Sequence, residues 1–430
     1  MNFDYKKFYN YKELIFLILY STILLGFFFN EDTLGGARHD FSHHYTISQM
    51  FNNDFFQTFE QFGNTGPART RNSPIFWIIV AFLDKIFTLE TIRLLNTLCS
   101  LLIVVFLYKC LLLKFKNNNK ILLIFLASAI FLSPTVRSLS IWPYSLIWGL
   151  LFFIISIYYF LEFKKTINIK ISFITSVKLL FFLILSSYIY PSFAVFFIYF
   201  FFHIFKKFKF SKNLFFLLIY SFLLSIPAIY YIFDKQVLAI FASSQGFGEE
   251  KGVNFSRSIN LSNKIMVIST MFLFFILPII NFKETLVDFK KINYQAFIFI
   301  FIFFITNVYF FNFPYIEGGS WGGGFFHKFS NRFFYNNFVF YFIFILSVFT
   351  IYSILLKNWN NYLLLILLIL LNPQFTIYNK YYDPLIYILF ITLFELDMNK
   401  HYFKKKYKQI QLYSLSIGYL GIALFKNYLL

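Results

Sequence analysis

Cysteine is almost missing: Cys99 and Cys110 are the only two in 430 residues, and both fall in one apolar run. That excludes a disulfide framework and a cysteine-built zinc site. Charge is scarce as well. Asp, Glu, Lys and Arg make up 13% of the chain, whereas soluble domains carry about 25%, so water is not the main solvent. There is no domain linker and no clear internal repeat, which leaves one continuous domain over residues 1–430 as the expectation.

Apolar residues are abundant, at 59%. Runs of spanning length recur at Leu14–Phe29, Leu94–Leu113, Tyr144–Leu161, Leu214–Phe233 and Phe338–Leu356. A crossing needs about 20 apolar residues, fewer where the bilayer is thin. No small-residue cleavage site follows Phe29, so the first run reads as a retained span rather than a signal peptide. The excess of Phe, Ile, Tyr, Lys and Asn has the look of drift in an AT-rich genome, so a single Phe carries little functional weight.

The net charge of +19 does not point to nucleic acid. The basic residues lie between apolar runs in short clusters, among them Lys114/Lys116/Lys120, Lys206/Lys207/Lys209/Lys212 and Lys404/Lys405/Lys406/Lys408. This is the positive-inside pattern. It places the N-terminus in the cytoplasm, residues 30–73 outside as the first extracytoplasmic loop, and the C-terminus outside. Pro74–Phe87 is then an interfacial or re-entrant helix, and the chain must reverse at Tyr190-Pro191, because a residue before proline avoids helical geometry. The fold class expected is an all-α polytopic membrane protein with roughly thirteen transmembrane helices, some short.

Polar chemistry gathers in the outer loops. The first carries Glu31, Asp32, Asp40, Asp54, Glu60, His39, His43 and His44. Any one of them can be an ordinary solvated residue, but their density beside a membrane marks a site at the interface. On a helix His39 and His43 share a face, as do Asp40 and His44. That spacing can hold a metal, although no metal motif is completed. Later, residues 312–334 are glycine-rich and carry His327, Lys328 and Arg332, and residues 373–384 carry Lys380 and Asp383. Glycines let a backbone approach a ligand closely, and outer Lys or Arg can hold a phosphate or merely anchor at lipid headgroups.

The acidic loop after the first span, the helix opening at Asn72-Ser73-Pro74 and the following Arg93-Leu94-Leu95-Asn96 resemble the GT-C membrane glycosyltransferases, which use polyprenyl-phosphate sugars. His327 with Asn331-Arg332, and Pro373-Gln374 with Lys380-Tyr381-Tyr382-Asp383-Pro384, are similar to late motifs of the endoplasmic-reticulum alpha-1,2-glucosyltransferases that complete the dolichol-linked oligosaccharide. Those enzymes have an Arg-Gln pair at the middle reversal, where this chain has Tyr188-Ile189-Tyr190-Pro191.

The resemblance implies a hexosyltransferase, with glucose as the family's sugar and a lipid-linked or cell-envelope glycan as acceptor. The base is expected among Asp40, Asp32 and Glu31, with Asp40 first, because Arg38 and His39 can keep it ionised. Substrate contacts are expected at His44, Arg71 and Arg93, and at His327, Lys328, Arg332 and Lys380. No cofactor is implied with certainty, and a divalent metal stays open. The expected partners are the lipid-phosphate donor, the glycan acceptor and membrane lipid, in a bacterial inner (plasma) membrane. The competing reading is a transporter or flippase for lipid-linked oligosaccharide, which would place ionisable residues near the bilayer midplane.

Overall fold

The computed structural model describes residues 12–62, 73–116, 118–234, 260–290, 292–315, 322–355, 358–372, 376–405 and 407–428. Among them the chain is helical, without a named strand. It packs as two compact units, one of residues 1–240 with 413–430 and one of residues 241–412.

The first unit begins with α1 (Lys12–Phe28), α2 (Ala37–Asn53), α3 (Phe55–Gln61), α4 (Pro74–Asp84) and α5 (Leu89–Lys114). Next come α6 (Lys120–Ser128), a 3-10 turn at Ala129–Leu132, and α7 (Pro134–Ile141). They are followed by α8 (Ser145–Lys165), α9 (Ile169–Ile189), a 3-10 turn at Pro191–Phe196, α10 (Phe197–Phe208) and α11 (Lys212–Asp234). The centre is α8, which packs on α5 and α9.

The second unit holds α12 (Leu261–Ile276), α13 (Phe282–Phe289), α14 (Tyr294–Phe310), α15 (Gly324–Phe334) and α16 (Phe338–Leu355). It continues with α17 (Trp359–Leu370), α18 (Asn379–Tyr382) and α19 (Leu385–Thr392). Here α12 is the hub, packing on α15, α16 and α19. A last helix, α20 (Tyr407–Tyr428), starts in the second unit and continues into the first.

Five described helices are long and apolar enough to cross a membrane: α5, α8, α9, the run Pro191–Phe208, and α11. A sixth arises if α6 and α7, bent by 67° at Ser133-Pro134, count as one broken span. Shorter apolar helices, α1, α4, α12, α14, α16 and α17, complete the set.

The boundaries have local causes. Asn119, Asn168, Asn260, Asn293 and Asn358 each accept an amide of the helix that follows. Asparagine suits this position because its side-chain oxygen replaces a missing backbone acceptor. Asn residues that composition alone would assign to drift thus define helix starts. Ser73 and Ser133 do the same ahead of Pro74 and Pro134, where proline loses nothing because that amide has no helical partner. At Tyr190-Pro191 the long helix ends and the next span begins, as the proline rule predicts. Inside α11, Pro227 removes one amide. Nearby, the Tyr188 hydroxyl donates to Leu224 O at 2.6 Å and accepts from Ala228 N at 3.3 Å. It thereby bridges a carbonyl and an amide of the turn at Pro227.

The short helix α4 lies where an interfacial or re-entrant helix is expected at Pro74–Phe87. Its 11 residues span about 16 Å, too little for a hydrocarbon core of about 30 Å. It lies along α2: Asp84 at its end accepts from Tyr45 Oη at 2.5 Å and Asn52 Nδ2 at 3.3 Å. Asn427 Nδ2 donates to Thr33 O at 2.7 Å, so the end of α20 and the loop after α1 share a side.

Candidate functional site

The first candidate region grows out of the end of α1. Asn30 takes a left-handed conformation, φ 53°, which closes the helix. The chain then folds back, with Glu31 N donating to Gly26 O at 2.8 Å. Gly26 must be side-chain-free here, since a Cβ would sit 2.3 Å from Glu31 Oε2. The Glu31 carboxylate is buried and meets Arg137 in a two-pronged pair, Nε to Oε1 at 2.6 Å and Nη2 to Oε2 at 2.5 Å. Arg137 also donates to Thr22 Oγ1 at 2.7 Å and Thr22 O at 2.9 Å. A buried ion pair of this kind is stable only because further hydrogen bonds satisfy both groups.

Asp32 accepts four backbone amides, from Gly35, Gly36, Ala37 and Arg38, at 3.0–3.2 Å. Its carboxylate therefore closes the start of α2, where the helix dipole favours a negative charge. Asp40 lies in the first turn of α2, half-buried. His44, one turn on, is buried and stacks on Trp77 with centroids 4.7 Å apart and planes at 15°. Tyr45 is held by Asp84, and burial followed by that hydrogen bond pushes its pKa up to about 12.

Arg93 is buried in α5. It donates to Ile141 O, to Glu90 and to Asn30 Oδ1, the last at 2.7 Å, and covers the Trp142 ring at 4.0 Å. Asn96, three residues on, donates to Leu139 O and Ser140 O at 2.8 and 2.7 Å. The Arg-Leu-Leu-Asn segment thus satisfies the last carbonyls of α7, which have no partner inside their own helix. Arg71 lies outside the described residues. Arg137 is a site residue that the sequence does not single out: its partner is 106 residues away, and no local pattern announces it.

The second region is in the other unit. Gly322, Gly323 and Gly324 all have positive φ, 91°, 92° and 75°. A Cβ on Gly322 would lie 2.1 Å from Ile377 O, and Gly323 N donates to that oxygen at 3.0 Å. The glycines therefore let the two late loop segments touch, which brings α15 beside the strip carrying Lys380. Lys380 rests over the Tyr378 and Tyr381 rings, at 5.6 and 5.9 Å.

On α15, His327 is buried, Lys328 is half-buried and Arg332 is exposed in the last turn. Asn331 donates to His327 O and to Asn337 Oδ1, closing the helix end. Lys264 of α12, nearly fully buried, donates Nζ to Asn372 O; sequence reading left it as one outer lysine among several. Pro373 and Gln374 fall outside the described residues.

Among the described residues no three His, Cys, Asp or Glu side chains converge in a way that could hold a metal ion. His39 and His43 do lie one turn apart on α2. Comparison with protein-family models, curated proteins and solved structures finds no match for this chain.

Proposed function

We propose that this chain is a GT-C-type membrane hexosyltransferase. It moves a hexose from a polyprenyl-phosphate sugar to a lipid-linked or cell-envelope glycan on the extracytoplasmic side. The observation that carries the reading is the construction of the loop after α1. Glu31 is bound to Arg137 and Asp32 to four amides, and together they fix α2 so that Asp40 is presented in its first turn. Of the three expected carboxylates, two serve the scaffold and Asp40 serves as base.

Asp40 accepts the proton of the acceptor hydroxyl as that oxygen bonds to the sugar C1. The C1–O bond to phosphate breaks, and polyprenyl phosphate leaves with the electron pair. Its charge calls for cations. The proposed topology, roughly thirteen crossings, counts the shorter apolar helices other than α4 as spans.

The test is acceptor-dependent release of polyprenyl phosphate from a polyprenyl-phosphate sugar by the purified protein, with Asp40→Asn as control. Release that Asp40→Asn lowers about 10²–10⁴-fold supports the reading. Movement of lipid-linked sugar across vesicles with no new glycosidic bond would replace it by the transporter.

A further inference from the structure

The N-terminal end of α15 is buried and, among the described residues, has no side-chain cap of the kind that ordinarily closes such an end. Its N-cap is Gly323, with φ 92° and no side-chain cap. Gly323 and Gly324 are both buried. The first amides of a helix need acceptors from elsewhere, and the dipole makes an anion the preferred one.

A second observation points to the same spot. His327, in this first turn, is 1% exposed, and neither ring nitrogen has a hydrogen-bond partner among the described residues. Its Nδ1 lies over the N-cap: a Cβ built on Gly323 would be 2.9 Å from it. The rest of the ring is enclosed by Phe311, Phe313 and Phe340, with centroids at 5.6, 5.5 and 5.3 Å. A phenylalanine would fill this space without two unbonded nitrogens, which cost stability when buried. Burial, and then the charge of Lys328, lower the His327 pKa to about 4. At neutral pH the ring is therefore an uncharged N–H donor.

We infer that the first turn of α15, with His327, is a seat for a phosphate oxyanion. The oxygens are taken by the amides of Gly324, Phe325 and Phe326 and by the imidazole N–H, with Lys328 supplying charge alongside. Naming that phosphate as the donor's rests on the function proposed above; the seat itself does not.

The test uses the full chain in detergent, with binding read as thermal stabilisation in three arms: polyprenyl phosphate, inorganic phosphate and an anionic phospholipid. At least one arm stabilises the wild type. His327→Phe needs about tenfold more of that ligand, while its ligand-free melting temperature holds or rises. Polyprenyl phosphate as an effective arm supports both the seat and the donor reading. Stabilisation by inorganic phosphate or phospholipid without polyprenyl phosphate keeps the seat and removes the donor reading. A wild type indifferent to all three, or a dose response unchanged in His327→Phe, overturns the seat. Should His327→Phe fail to fold, the His327 ring N–H resonance in the wild type decides: a shift on adding the phosphate supports the seat, and no shift overturns it.

Discussion

The loop after α1 and the glycine-rich loop before α15 treat polar groups in opposite ways. In the first, Glu31, Asp32, Arg93 and Arg137 spend their hydrogen bonds within the chain. In the second, among the described residues, a helix start has no side-chain cap and a buried imidazole no hydrogen-bond partner. The contrast teaches where to look for substrate. Satisfied charges hold a frame, however catalytic they look in sequence, and unsatisfied buried groups ask for something from outside.

The strongest way to break the comparison is at Asp40, the early-loop residue assigned to chemistry rather than frame. Asp40→Asn is expected to lower transfer about 10²–10⁴-fold with donor binding intact. Asp32→Asn should cost transfer less and show mainly as weaker folding, because it removes a helix cap. Near-normal turnover in Asp40→Asn with a dead Asp32→Asn would make the cap the base.

Next in size is Arg137→Ala, which strands the Glu31 charge and should destabilise the protein by about 3–5 kcal/mol in denaturant titrations. Replacing both partners, Glu31→Leu with Arg137→Met, should recover most of that loss. A double variant as unstable as the single would show that the pair does more than hold the frame.

The late loop gives a third test through pH. His327 takes its proton near pH 4 in the folded chain, against 6.5 for an ordinary histidine. Above pH 6.5 both folded and unfolded forms are neutral there. As pH falls towards 4 only the unfolded chain protonates this ring, so stability is lost, by about 3 kcal/mol at pH 4. The loss should be missing from His327→Phe in parallel melts. A smaller effect separates cap from bystander: Asn168→Ala should lower stability by about 1 kcal/mol, while Asn118→Ala, one residue before a capping Asn119, should change little.

Much of the architecture was legible beforehand, and for physical reasons. Apolar runs locate spans because lipid tolerates little else, and Pro191 and Pro74 set helix limits through lost amides and steric conflict. The pairing of the two late loops was not legible; the backbone contact at Gly322 and Ile377 depends on φ values that any glycine permits and none demands.

Other features could not be read. Glu31 with Arg137 and Tyr45 with Asp84 are joined across 106 and 39 residues, and spacing rules see only neighbours on one helix. Nor could sequence say which face of a span is inward, because lipid and protein interior are equally apolar and leave no polar stripe to follow. That is why the central place of α8, with 72% of its apolar window buried against 11% for α11, emerges only from packing.

Tyr188 shows what such packing can accomplish. Its hydroxyl gives one hydrogen and takes one between Leu224 and Ala228, which is the part an inserted water molecule plays in an opened helical turn. A water can exchange away, and in hydrocarbon it is seldom at hand. Carried on a ring anchored to α9, this one is tethered. The turn of α11 at Pro227 is thus tied to α9 by the protein itself, and Tyr188→Phe would remove both bonds.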